Sequence, residues 1–205
     1  GYKKTENTVE IFDKNGKSIG VVFEPTKAYL TPKEMQELTD WTAQALDEKK
    51  YHPLLIIGNF LVEFLKIHPF QDGNGRVSRI LTNLLLLKQG YVFIPYVSHE
   101  KLVEDNKNNY YLALIKSQKT FGKKKENIFP WLGFFLDILL KQSEMAVKLL
   151  ESEDVEKTLD IAEQRLEMPV PLGDVRSGER PDGKRALRVD GAEETVLHEA
   201  RQIGF

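Results

Sequence analysis

The sequence predicts an all-α domain with one small β-hairpin near its N-terminus. Apolar residues recur at helical spacing through successive segments between residues 31 and 151. Asn-Gly falls between two β-rich runs at one place, Asn15-Gly16, and proline or glycine stands where each long helix must begin or stop. With 205 residues and 41% apolar side chains, the chain can bury a core without staples. It has no cysteine, which removes disulfides, thiolate metal sites and cysteine nucleophiles and suits a reducing, cytoplasmic setting.

The elements follow in order. Thr8-Val-Glu-Ile-Phe12 and Ile19-Gly-Val-Val-Phe23 flank Asp13-Lys-Asn-Gly16, whose last two residues tolerate the positive φ of a tight hairpin turn. After a loop through Tyr29-Leu30, Thr31-Pro32-Lys33-Glu34 supplies a capping hydroxyl, a proline at the first helical position and an acid in the first turn, so a helix should run to about residue 49. Pro53 opens the next helix, and its apolar residues, among them Ile57, Phe60, Leu61 and Phe64, cover more than one face, as a central helix requires. Pro69 ends it near Ile67. A further helix is expected over 77–89, with Ile80, Leu81, Leu84, Leu85 and Leu87 facing the core and Gly90 as its stop. Others are expected over 98–105, 109–117 and 128–151.

The most apolar stretch, 128–140, is too short to span a bilayer and is interrupted by Asp137, and no signal peptide is visible. The formal net charge of −2 gives no nucleic-acid or membrane signature. The charge is nevertheless unevenly composed: residues 1–158 hold 20 Lys and 2 Arg, whereas 159–205 hold 1 Lys and 6 Arg. Together with turn-rich sequence from Met168 onward, this divides the chain into a body, 1–158, and a tail, 159–205, appended or partly disordered. The first residue is Gly1 rather than Met, so the sequence reads as a fragment with more chain upstream.

The chemistry concentrates in His68-Pro-Phe-Gln-Asp72-Gly-Asn-Gly-Arg76-Val-Ser-Arg79. Gly73 and Gly75 let a backbone approach an anion, and the helix N-terminus that follows adds free amides and a positive dipole end. Arg76 and Arg79, the only arginines of the body, lie three apart on the first turn, where guanidinium forks can hold phosphate oxygens. Asp72 is a hard oxygen ligand suited to Mg²⁺, though the same carboxylate could simply cap the helix. His68, with an ordinary pKa near 6.5, can accept a hydroxyl proton at neutral pH. The set describes attack by a hydroxyl on a nucleoside polyphosphate. His52, His99 and His198 lack metal-ligand spacing and read as structural, and Lys123-Lys-Lys125 reads as a solvated turn.

This stretch resembles the Fic signature, H-x-F-x-[DE]-G-N-G-R-x-x-R, at His68, Phe70, Asp72, Gly73, Asn74, Gly75, Arg76 and Arg79. The resemblance implies a Fic-type helical bundle with a hairpin flap at about 8–30, and transfer of AMP from ATP to a Ser, Thr or Tyr hydroxyl of a target protein. It implies His68 as the base and Asp72 as the Mg²⁺ ligand. Gly73, Asn74 and Gly75 would form the anion hole, with Arg76 on the β-phosphate and Arg79 on the γ-phosphate. Phe70 would anchor the turn, and the flap, about 19–30, would register a target segment by strand addition. Tyr111, and Gln118 beside it, fall where the family lines its adenine pocket, although Tyr110 and Tyr111 read equally well as core. The intact Gly75-Arg76 pair resembles the AMP-transferring form and not the phosphotransferase variant. It leaves UMP or GMP open, as well as a nucleotide-binding module without catalysis.

Many Fic proteins are restrained by a helix resembling [ST]-x-x-x-E-[GN]. Ser152…Glu156-Lys157 and Thr195…Glu199-Ala200 do not complete that pattern. The expectation is that an inhibitory helix lies upstream of Gly1 or on an antitoxin-like partner, so that this chain labels constitutively. A homo-oligomer is compatible with the sequence.

Overall fold

A computed structural model describes residues 1–12, 18–151, 177–179 and 185–189. Strands β1 (Thr8–Phe12) and β2 (Ser18–Phe23) pair antiparallel, Val9 opposite Phe23 and Phe12 opposite Ser18, while the turn expected at Asn15-Gly16 lies outside the described residues. Two short strands of the tail, β3 (Ser177–Glu179) and β4 (Arg185–Val189), complete the sheet order β2-β1-β4-β3, with β4 parallel to β1. His198, Glu156, Glu199 and most of the tail lie outside the described residues.

Among the described residues six helices form the body: α1 (Thr31–Glu48), α2 (Pro53–Ile67), α3 (Asn74–Lys88), α4 (His99–Asp105), α5 (Lys107–Gln118) and α6 (Phe129–Glu151), with a 3-10 turn at Ile94–Tyr96. Among the described residues no helix is long and apolar enough to cross a membrane. Helix α2 is central, packing against α1, α3, α5 and α6. Ile56, Ile57 and Val62, on different sides of it, are all buried, the burial on more than one face that its composition predicts. Gly58 lets α6 approach closely: the indole Nε1 of Trp131 donates to the Gly58 carbonyl at 2.7 Å, and a Cβ at position 58 would stand 2.6 Å from Leu132 Cδ2.

Three local expectations are corrected. Thr31 does not cap α1; the cap position is Leu30, and the Thr31 hydroxyl donates to the Lys27 carbonyl at 3.1 Å, already inside the first turn. Helix α3 begins at Asn74 rather than Val77, because Gly73, with φ of 83°, turns the chain directly into the helix. Its inward seam is the expected one only in part: Leu81 and Leu85 pack against the core. Asn74, Ser78, Thr82 and Leu86, four residues apart, are buried, while Ile80, Leu84 and Leu87 are exposed, Leu84 at 56%. The small polar residues can face inward because their hydroxyls are satisfied within the helix, Ser78 donating to the Gly75 carbonyl and Thr82 to the Ser78 carbonyl, each at 2.8 Å.

Candidate functional site

Helix α2 stops where Pro69 forbids its continuation, and His68 takes up the left-handed conformation, φ 53° and ψ 60°, with its amide still donating to the Phe64 carbonyl at 2.9 Å. This folds the imidazole back over the last turn. Nδ1 lies 3.1 Å from the Leu65 carbonyl, and since a carbonyl only accepts, Nδ1 carries the proton. Nε2 therefore presents its lone pair, and it has no hydrogen-bond partner. The residue is 5% exposed, with the Phe23 ring edge-on at 5.9 Å. Burial, helped by the nearby Lys3 ammonium and opposed by the Leu65 hydrogen bond and the Asp72 carboxylate, pushes its pKa down to about 4. At neutral pH His68 is an uncharged base with an open acceptor.

The turn that follows is braced from inside. Asn74 is fully buried: its Oδ1 accepts from the Phe70 amide and its Nδ2 donates to the Phe70 carbonyl, both at 2.8 Å. Its carboxamide is thus committed to the loop, and what it offers an anion is its backbone N–H. The first bond of the α3 ladder runs from the Val77 amide to the Gly73 carbonyl at 2.9 Å, so the amides of Asn74, Gly75 and Arg76 precede it at the helix N-terminus. The Gly73 amide is taken by its neighbour, donating to Asp72 Oδ1 at 2.6 Å.

Both guanidiniums lie over the glycines. A Cβ on Gly73 would stand 3.4 Å from Arg76 Nη2, and one on Gly75 would stand 3.6 Å from Arg79 Nη1. Arg76 Nη2 also faces Asp72 Oδ2 at 3.6 Å. Arg79 has a partner not foreseen from its spacing, Glu100 in the first turn of α4: its Nε and Nη2 both reach Glu100 Oε1, at 3.1 and 2.9 Å. The Nη1 edge remains on the Gly75 side. Among the described residues no cluster of three metal-ligating side chains occurs, so a cation here would meet one protein carboxylate, that of Asp72. That donor set suits Mg²⁺, which keeps most of its waters and takes further oxygens from phosphates.

Other sequence candidates fall further from the turn. Tyr110 is buried among Trp131 and Phe134 with its ring edges toward them, and burial raises its pKa to about 12. Tyr111 packs edge-on against Tyr110 at 5.2 Å, and its phenol, also raised by burial, is within electrostatic reach of Arg79. Gln118 is buried with both carboxamide atoms unpaired. His52 caps α2 by accepting from the Leu54 amide, and His99 donates from Nδ1 to Gln142 Oε1 at 3.1 Å, both structural uses. A cavity of about 20 Å³ behind α3, lined in part by Ser78, Arg79, Thr82 and His99, has room for about one water and none for a nucleotide.

Residues 2–86 match the Fic/DOC family. The chain carries a Fic domain. The Fic domain is 30% identical over 103 residues to a probable protein adenylyltransferase of Aquifex aeolicus, covering 50% of this chain and 28% of that one. It is 30% identical over 149 residues to the protein adenylyltransferase Fic of Aedes aegypti, covering 71% of this chain and 24% of that one. The chain thus spans about a quarter of the length of these relatives. A Fic family protein from Desulfovibrio desulfuricans shares the fold, with TM-score 0.58 and 24% identity over 82% of this chain and 50% of the other. A Fic domain containing signaling protein from Bacteroides thetaiotaomicron does so with TM-score 0.55 and 24% identity, covering 72% of this chain and 53% of the other.

Proposed function

We propose that the Fic domain is a protein adenylyltransferase, transferring AMP from ATP to a Ser, Thr or Tyr hydroxyl of a target protein and releasing pyrophosphate. The observation that carries this is the pairing, within one turn, of a buried neutral His68 whose Nε2 lacks a partner with two guanidiniums seated over Gly73 and Gly75. A base without an acceptor role elsewhere and a cationic, amide-lined anion site are the two halves of a hydroxyl attack on a polyphosphate. The names of the adenylyltransferase relatives support the same chemistry.

In this reading the target hydroxyl gives its proton to His68 Nε2 while its oxygen forms a bond to the α-phosphorus. The bond from that phosphorus to the oxygen bridging to the β-phosphate breaks, and pyrophosphate takes the electron pair. The amides of Asn74, Gly75 and Arg76 and the Arg76 and Arg79 side chains stabilise the growing negative charge on the β- and γ-phosphates. Asp72 Oδ2 would hold a Mg²⁺, which when bound neutralises phosphate charge. Strand β2 and the loop after it, residues 19–30, would receive an extended target segment through backbone hydrogen bonds. Tyr111 would border the adenine.

Incubating the chain and a cell lysate with Mg²⁺ and ATP labelled at the α-phosphate tests this. Protein-bound label is expected with the wild type and a loss of at least about 10²-fold with His68→Ala, the size of a missing general base. Equal labelling by both would remove His68 from the chemistry.

A further inference from the structure

The loop that presents His68 has its carbonyls held by a segment about sixty residues away in sequence. Lys3 Nζ donates to the Ile67 carbonyl at 3.0 Å, and the Lys3 amide donates to the Pro69 carbonyl at 2.8 Å. Asn7 Nδ2 donates to the Phe70 carbonyl at 3.1 Å and lies 3.5 Å from the His68 carbonyl. Four consecutive carbonyls, from Ile67 to Phe70, are therefore engaged by two side chains and one amide of the N-terminal segment. Lys3 and Asn7 are also joined to each other, Nζ to Oδ1 at 2.9 Å, and are 4% and 7% exposed. Tyr2 on the Phe70 ring and Thr5 on Gln71 Oε1 fasten the same segment to the two residues that precede Asp72.

A buried ammonium is costly unless it is needed where it stands, and an apolar residue would fill the same space with no desolvation. Lys3 is kept there with its ammonium on two acceptors, Asn7 Oδ1 and the Ile67 carbonyl, at the C-terminus of α2, where a cation also meets the negative end of the helix dipole. Between the two carbonyls that Lys3 holds sits His68, the one residue in this turn with a left-handed backbone and a side chain. Rotating either adjacent peptide would swing the imidazole away from the Leu65 carbonyl and break its Nδ1 bond.

We propose that Lys3 and Asn7 are positioning residues for His68, a strap that fixes the peptide planes of 67–70 and thereby the tautomer and aim of the imidazole. The inference rests on the adenylyl-transfer reading for its catalytic consequence, but its structural content does not.

The test uses the full 205-residue chain and the variants Lys3→Met and Asn7→Ala, with folding checked by thermal melting; should Lys3→Met not fold, Asn7→Ala, which removes only a carboxamide, carries it alone. Imidazole nitrogen NMR of His68 should show a single Nδ1–H tautomer in the wild type and a mixture of tautomers in the variants. In labelling kinetics, kcat should fall roughly tenfold to a hundredfold while KM for ATP moves less than about twofold, since misplacing a reacting group by about 1 Å costs on that order. Unchanged His68 spectra in a folded variant overturn the proposal, as does a rise in KM with kcat preserved. If the wild type transfers no label, the adenylyl-transfer reading fails while the spectra still decide the strap.

Discussion

His68 gains its chemistry from a backbone stop. Pro69 ends the helix, the left-handed turn folds the ring back, and burial keeps it neutral. Because its folded pKa of about 4 lies below the 6.5 of an unhindered histidine, the unfolded chain binds the extra proton first. His68 thus contributes stability that is complete above about pH 6.5 and declines as pH falls toward 4. In thermal melts, His68→Ala should flatten part of the wild type's loss of melting temperature across that window; identical slopes would mean the ring is hydrated. Glu100 gives a second prediction. Its side chain is 54% exposed, so the pair with Arg79 is worth at most about 1 kcal/mol, and it competes with a phosphate for the charge of Arg79. Glu100→Gln should tighten ATP binding by about two- to fivefold in calorimetry, and weaker binding would make Glu100 a support for Arg79 instead of a competitor. Asn74→Ala removes both bonds to the Phe70 backbone and leaves a buried amide unpaired, which should cost about 2–3 kcal/mol in denaturant unfolding. The motif residues were legible because they are contiguous and each type has a narrow chemical use. Lys3, Asn7 and Glu100 were not: their partners lie 64, 61 and 21 positions away, and a lone polar residue carries no periodic signal.

Helix existence was read correctly wherever proline or glycine marked an end, as at Pro53, Pro69 and Gly90. The facing of α3 was misread for a physical reason. Leucine and isoleucine outnumber the small residues along it, yet the buried seam is made by Ser78, Thr82 and Leu86, and the two small members, Ser78 and Thr82, can face inward because their hydroxyls pair locally. An apolar count cannot detect that local pairing. Close approach governs the α2–α6 contact at Gly58, where Leu132 and Phe135 leave no room for a side chain. Gly58→Val should destabilise the domain by about 1–3 kcal/mol through overpacking, despite the better helix propensity of valine over glycine. A melting temperature equal to or above that of the wild type would show that α6 can move aside at no cost.

At the scale of the whole molecule, the family match over 2–86 includes both the strap and the His68 turn, so the segment that aims the base and the base itself belong to one unit. We propose that residues 1–158 form the catalytic body and that the tail has no catalytic role, its described strand β4 lying along β1 on the side away from β2. Deleting 168–205 should leave labelling intact, and lost activity in a folded truncation would assign the tail a part in the reaction. The switch from lysine to arginine near residue 158 is the sequence ground for this proposed division, whereas the pairing of β4 with β1 left no trace there, since strand register between distant segments is set by backbone bonds open to many side chains. The central claim is that the arginine-capped nest holds the departing pyrophosphate while the α-phosphate goes to protein. It is tested most directly by parallel incubations of the wild type with ATP labelled at the α- or at the γ-position. Label on protein from the α-position alone is the predicted result; label from the γ-position would contradict it, because the nest would then be holding a nucleoside diphosphate as the leaving group.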